Sequence, residues 1–307
     1  RRWNPGNIDL ASFLCDIAAF LRRYVVLTEH QQRALTLWIA HTYAIDAADC
    51  TPYIILRSAE KRSGKTLLLE VLSLLVPRAW LTGRVTPAVL VRKISGVSPT
   101  LLLDETDATF NGNKEFSETL RGVLNSGYRR GGVYSICVPE KGEWVYKDFL
   151  VFGPKALAGI GNLPDTVQDR GIPIEMRRKL KTEEAEKFRR RKVVQDAIPL
   201  ADALATWAYE AVPILELTEP NIPEKLNDRA ADVWEPLLAI ADMAGGEWPA
   251  WARQSAIALS GGSVQEDDSL GVTLLKDIQR VFTDKKVDRL FSVDLASALV
   301  EFEESPW

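Results

Sequence analysis

The sequence predicts an α/β chain: a parallel sheet covered by helices on both faces, followed by an all-helical region. Three observations carry that expectation. Five short apolar runs fall between residues 53 and 176, most of them separated by helical stretches, as in buried parallel strands with crossover helices. A glycine-lysine turn joins the first run to a helix. From about Lys181 onward every segment has helical periodicity.

The elements follow in order. Leu10, Phe13, Leu14, Ile17 and Leu21 recur at helical spacing. A second helix begins at Thr28, which forms a capping-box pattern with Gln31 and presents Leu35, Trp38 and Ile39 as its buried stripe. Tyr53–Leu56 reads as a strand buried on both faces. Further strands are expected at Trp80–Leu81, Thr100–Leu103, Leu150–Phe152 running on toward Leu157, and Ile172–Met176, with helices at Thr66–Val76 and Glu115–Asn125. Val133–Val138 and Trp144–Tyr146 flank a glycine-containing turn, the pattern of an inserted β-hairpin. A highly charged helix to Asp196 is expected next, then Ala201–Val212, Asp228–Ala244 and Trp248–Leu259. Gly261–Asp268 has linker composition, and Leu270–Phe282 and Val293–Phe302 suggest two helices of a small terminal unit. The expected division is therefore 1–50, 51–180, 181–260 and 261–307.

Composition narrows the function classes. The 307 residues are 46% hydrophobic and 26% charged, close to the globular average, so disorder is a poor reading. No apolar run reaches the length of a membrane span. Three cysteines and two histidines show no ligand spacing, which argues against a disulfide framework or structural zinc and for a reducing cytoplasm. The first residue is not Met and no signal-peptide layout follows, so the chain reads as part of something longer. With a net charge of −4, nucleic-acid binding requires a local basic surface.

Ala59-Glu60-Lys61-Arg62-Ser63-Gly64-Lys65-Thr66 is the phosphate-binding loop pattern with Ala in place of the first Gly. Backbone N–H groups from Ala59 through Leu67 would surround a β-phosphate at a helix start, where the dipole favours anions. Lys65 would reach the β- and γ-phosphates, and the Thr66 hydroxyl would hold Mg²⁺. Thr100–Leu103 then ends in Asp104 and Glu105: the first fits a Mg²⁺ ligand, the second the base that polarises an attacking water. Asp104 lies 39 residues after Lys65, room for a helix, a strand and another helix. That places a strand between the loop strand and the acid strand, as in ATPases with an added catalytic glutamate and unlike small GTPases.

Asn162, after the fourth strand, could orient water beside the γ-phosphate or simply shape a turn before Pro164. Arg170 ends a short helix before the last strand, where it suits a neighbour's γ-phosphate better than its own. A salt bridge to Asp165 or Asp169, or a helix-end role, competes. Arg229 sits at a helix start, against the dipole, and so wants a partner; a γ-phosphate would supply one, and a solvated arginine is the alternative.

In this order the loop, Asp104-Glu105, Asn162, Arg170 and Arg229 resemble AAA+ ATPases. More closely, Leu124-Asn125-Ser126-Gly127-Tyr128-Arg129-Arg130-Gly131 and Gly161-Asn162-Leu163-Pro164-Asp165-Thr166-Val167-Gln168-Asp169-Arg170-Gly171-Ile172-Pro173-Ile174 resemble an uncharacterised helicase-like domain family. That family accompanies primase modules in phage, plasmid and integrative-element replication proteins. The resemblance covers roughly residues 8 to 307. It implies an AAA+ three-layer core with a helical lid, ATP and Mg²⁺ as cofactors, and a hexameric motor on single-stranded DNA, with a primase as domain or partner. Asn162 would be the first sensor, Arg170 the finger in trans and Arg229 the second sensor. Ala59 departs from the loop pattern, and the family's winged-helix tail is truncated.

The 58 residues from Asp104 to Asn162 exceed what one helix needs, and the surplus is the hairpin. Related ring helicases line their pore with such hairpins, which makes Lys141 the candidate tip cation and Arg84 a second pore-loop candidate; a solvated basic residue is the alternative for both. Lys179–Lys192 interleaves bases with Glu183, Glu184 and Glu186, the pattern of a solvated helix face. The functional expectation is an ATP-driven DNA helicase or loader. Its rivals are a nucleotide-gated assembly switch that moves along nothing, and a nucleotide-binding domain without activity, which conflicts with the paired acids.

Overall fold

The computed structural model describes residues 9–58, 60, 62–104, 114–140, 143–159, 163–180, 182–260, 270–300 and 302. The chain divides into two compact units, 1–260 and 261–307.

The first unit is built on five parallel strands: β1 (Tyr53–Arg57), β2 (Ala79–Thr82), β3 (Thr100–Leu103), β6 (Lys155–Ala158) and β7 (Gly171–Glu175). Their spatial order is β2–β3–β6–β1–β7. Although β1 and β3 carry the two acid-and-loop motifs, β6 lies between them, pairing Leu56 with Ala158 and Leu103 with Leu157. The remaining strands, β4 (Val133–Glu140) and β5 (Glu143–Leu150), form an antiparallel hairpin in register from Val133↔Leu150 to Glu140↔Glu143.

Strand alternation sorts the core into two layers. Ile54, Leu56, Leu102, Ala156 and Ile174 face one apolar cluster, shared with α1 (Leu10–Tyr24), α2 (Glu29–Tyr43) and α3 (Lys65–Leu72). Tyr53, Ile55, Leu101, Leu103 and Leu157 face the other, covered by α4 (Pro87–Val97), α5 (Lys114–Ser126) and α6 (Asp165–Gln168). The capping box of Thr28 and Gln31 forms as expected, and α2 is buried almost all round, with Trp38 donating to the Pro52 carbonyl at 2.9 Å. Three further helices complete the first cluster: α7 (Arg190–Leu215), α8 (Asp228–Ala244) and α9 (Trp248–Ser260).

Four expectations are corrected. The run from Leu150 toward Leu157 is not one strand: Leu150 ends the hairpin, Gly153 adopts φ +155°, and the sheet strand starts only at Lys155. Helix α3 ends at Leu72, short of Val76. The charged stretch before residue 190 is not helical. Glu183 instead accepts from Arg177 and from the Leu180 amide at 2.8 Å, while Glu186 takes the Arg23 guanidinium of α1 at 3.2 Å. The Arg23 bond straps the segment to α1, and a side chain spent on a nearby backbone amide, as that of Glu183 is, competes with a helix. The break expected between a helix ending at Asp196 and another at Ala201–Val212 is also absent: one helix runs through Pro199 and Pro213 for 26 residues.

The second unit holds α10 (Leu270–Lys285) and α11 (Ser292–Val300), which bury Val281, Ala298 and Leu299 against Ile278, Leu290, Leu295 and Phe302. Among the described residues no helix is long and apolar enough to cross a membrane.

Candidate functional site

The strands of a parallel sheet deliver their carboxyl ends to one edge, and there the glycine-lysine loop meets the acid strand. Gly64 precedes α3 in the left-handed region at φ +89°, a conformation that favours glycine. Arg62 is also left-handed, at φ +62°, which costs about 1–2 kcal/mol for a residue with a side chain. The two left-handed positions turn the loop back so that it opens directly into the first turn of α3. Lys65 donates to Ser58 Oγ and lies 3.4 Å from Ser63 Oγ, and both serines are buried. Thr66 Oγ1 donates to Asp104 Oδ2 at 2.7 Å. Glu60 of the loop pairs with Arg178, just past β7, at 3.0 Å.

Chemically this edge can hold an anion and a cation together. The amides of the first helical turn point out of the helix end, and the ammonium adds a full positive charge beside them. The Thr66 hydroxyl and the Asp104 carboxylate, already in contact, supply the hard oxygens a divalent cation takes. The donor set fits a polyphosphate with Mg²⁺. Among the described residues, no group of three or more His, Cys, Asp or Glu side chains gathers as a metal site. Exposed Arg84 follows β2 at this same edge, its carbonyl taking the Thr82 hydroxyl at 3.1 Å. Ala59, Lys61, Glu105, Lys141 and Asn162 lie outside the described residues.

Arg170 is placed at the opposite edge. Its carbonyl accepts from the Tyr53 amide at 3.0 Å, beside the first residue of β1. The Lys65 loop begins beyond the last residue of that strand, about 13 Å further along. The Arg170 guanidinium stacks over the Tyr128 ring at 4.8 Å and donates to the Thr166 carbonyl. Arg229 joins it there rather than joining Lys65: its guanidinium pairs with Asp169. A second ion pair from α8, Asp232 to Arg129 at 3.1 Å, holds the same edge. Arg130 donates to the carbonyls of Ile45, Asp46 and Ala48, closing the turn after α2.

Lys155, 1% exposed, underlies this edge. Its ammonium donates to the carbonyls of Gly127, Val151 and Gly153 at 3.3, 3.0 and 2.8 Å and lies 5.0 Å from the Tyr53 ring centre. Burial pushes it down to about 7. Gly127 has no room for a side chain, since a Cβ there would sit 2.3 Å from the Val151 carbonyl oxygen. Nearby, a cavity of about 230 Å³ is lined by His41, Asp49, Cys50, Glu219 and Glu235, among others. Burial lowers His41 to about 3, while burial and the neighbouring Asp232, Asp49 and Glu219 carboxylates raise Glu235.

The hairpin carries Trp144 and Tyr146 on one face, each 75% exposed, while Tyr134 and Phe149 on the other pack onto the sheet-covering layer. Lys147 is paired with Glu140 at 3.1 Å. Sequence reasoning did not single out Ser58, Arg57, Gln168 or Lys155. Ser58 was findable as the hydroxyl before the loop; Arg57 and Gln168 meet across 111 positions, too far to leave a local pattern, and nothing in the sequence marks Lys155 as buried.

Residues 175–307, less than half of the chain, match a family described as proteins of unknown function, DUF3631. An uncharacterised 28.9 kDa protein from the xis 5′ region of Saccharopolyspora erythraea is 39% identical over 133 residues, 43% of this chain and 49% of that protein. The chain thus matches about half the length of that relative. The family match takes in Arg229 and α7 to α11 and stops short of Lys65, Asp104 and Arg170.

Proposed function

We propose that the chain is an AAA+ ATPase that assembles as a hexameric ring and couples Mg²⁺-dependent ATP hydrolysis to movement along single-stranded DNA, in replication of the phage or mobile-element kind. The observation that carries this reading is the 2.7 Å contact between Thr66 and Asp104 beside Lys65. A helix-start hydroxyl, a strand-end carboxylate and an ammonium meet where Mg²⁺ and a triphosphate need all three. The position of β6 between β1 and β3 supports an ATPase with an added catalytic glutamate over a small-GTPase layout.

In this reading Lys65 and the loop amides hold the phosphates, and Thr66 and Asp104 hold Mg²⁺. Glu105 takes the proton of the attacking water and Asn162 orients it. Arg170, too far from its own chain's loop, serves the neighbour's site, so the assembled ring is the working enzyme. Arg229, bonded to Asp169, supports the Arg170 edge before any phosphate of its own chain. Lys141 and Arg84 are the candidate DNA contacts, and a primase domain or partner accompanies the ring.

ATP hydrolysis with and without single-stranded DNA, together with mass in solution with nucleotide, tests the reading. The expected result is DNA-stimulated turnover by a hexamer. Turnover indifferent to DNA favours a nucleotide-gated assembly switch, and absence of ATP binding overturns both.

A further inference from the structure

We propose that Gln168 is a positioning residue that ties the strand feeding the Lys65 loop to the short helix carrying Arg170, so that a nucleotide site and the arginine offered to the next subunit are held as one piece. The proposal rests on the ATPase reading above and names a residue that reading does not use.

Arg57 is the last residue of β1, and Ser58, the partner of Lys65, follows it directly. Like Tyr53 and Ile55, Arg57 points to the α4–α6 layer. Its Nη2 donates to Gln168 Oε1. The same amide donates from Nε2 to the Leu163 carbonyl at 2.5 Å and lies 3.5 Å from Asp165 Oδ1. One side chain therefore uses both its acceptor and its donors to join the loop strand, the segment after β6 and α6.

Helix α6 needs such a tie. With four residues it cannot hold itself, and its one fully buried side chain is Val167. Asp169 and Arg170 follow Gln168 immediately, so any shift of α6 moves the guanidinium. The arginines at either end of this link are also held in costly poses: Arg57 Nε and Arg170 Nε are both buried without a hydrogen-bond partner. A buried donor left unsatisfied persists where the bonds that remain fix the group.

The test uses the full chain and compares wild type with Gln168→Leu and Gln168→Glu, the latter keeping an acceptor for Arg57. ATP affinity is measured by titration, turnover separately, and melting temperature alongside. Gln168→Leu is expected to bind ATP within twofold of wild type and to turn over at least tenfold more slowly, since small misplacements of a catalytic group cost that much or more. Gln168→Glu keeps the acceptor for Arg57 but loses the donor to the Leu163 carbonyl, so its turnover is expected to fall between those of wild type and Gln168→Leu. Arg57→Met should reproduce the leucine phenotype, and the double variant should be no slower than either single one, because both break one link. Wild-type turnover in Gln168→Leu overturns the proposal, as does a parallel loss of affinity, turnover and melting temperature, or a glutamate variant as slow as the leucine one. A wild-type chain that does not hydrolyse ATP overturns the ATPase reading itself and the tie with it.

Discussion

The two edges of the sheet are built on opposite plans. At the carboxyl-end edge, Lys65 bonds to Ser58 and Thr66 bonds to Asp104 through their side chains, contacts that an incoming ligand can take over one for one. At the amino-end edge three cations are immobilised by groups that cannot leave. Lys155 and Arg130 spend their donors on backbone carbonyls, and Arg170 lies on the Tyr128 ring. One edge is arranged for exchange, the other for rigidity. On the proposed ATPase reading, a guanidinium that serves a neighbour's site gains from that rigidity, because order is then not lost at the moment of reaction.

The sharpest break of this contrast uses one substitution at each edge. Lys65→Ala should lose nucleotide affinity by about a hundredfold or more, since a charge partner of the phosphates disappears. Arg170→Ala should bind nucleotide as wild type does and lose about a thousandfold in turnover. Mixed with Glu105→Gln, itself inactive, Arg170→Ala should recover part of the activity at interfaces that pair an intact Glu105 with a neighbour's Arg170. No recovery despite proven subunit exchange would place the arginine's role within its own chain.

A smaller effect tests rigidity itself. Lys155→Met leaves the carbonyls of Gly127, Val151 and Gly153 without their donor, and should lower unfolding stability by about 2–4 kcal/mol in a urea titration. Nucleotide affinity at the far edge should change little. A stability loss below about 1 kcal/mol would show that the buried ammonium contributes packing alone.

His41 extends the comparison to pH. Its folded value lies near 3, below the unfolded value of 6.5, so the unfolded chain binds a proton that the folded chain refuses. Its contribution is complete above pH 6.5 and is lost as pH falls toward 3, at about 1.4 kcal/mol per pH unit at most. Stability measured from pH 7 to 4 should therefore fall more steeply in wild type than in His41→Gln; parallel slopes would remove the buried histidine from the acid response. The smallest effect is expected at Arg229. Its bond to Asp169 is 69% exposed on the arginine side, and Arg229→Ala should cost less than about 1 kcal/mol, read as a shift of the urea midpoint.

Much of this was legible before any coordinate. Capping at Thr28, the apolar run at Tyr53–Leu56, the loop at Gly64-Lys65 and the acid after Leu103 are local signals, complete within a few residues, and each is present in the structure. What escaped is non-local. Glu186 belongs to a strap because Arg23 waits 163 positions away, and Gln168 finds Arg57 across 111 positions. Periodicity cannot register such partners. Lys155 was passed over for a different reason: nothing in the sequence marks a lysine at a strand start as buried, and it is tolerable there only because the Val151 and Gly153 carbonyls just before it and the Gly127 carbonyl further off converge on its ammonium.

The placement of β6 also governs the order in which the chain can assemble. Strand β1 has two neighbours, and both come late: Ile54 must wait for Ala156 and Ile172, each more than a hundred residues downstream. Thr66 and Asp104 cannot hold their spacing until β6 slides between β1 and β3. A chain emerging from the ribosome therefore carries a finished hairpin, β4–β5, well before it owns a central sheet, and its first strand spends that interval with both edges unpaired. Such late, long-range closure makes folding slow and leaves the nascent chain open to self-association, so a truncation anywhere before residue 155 should yield aggregates rather than a smaller working domain.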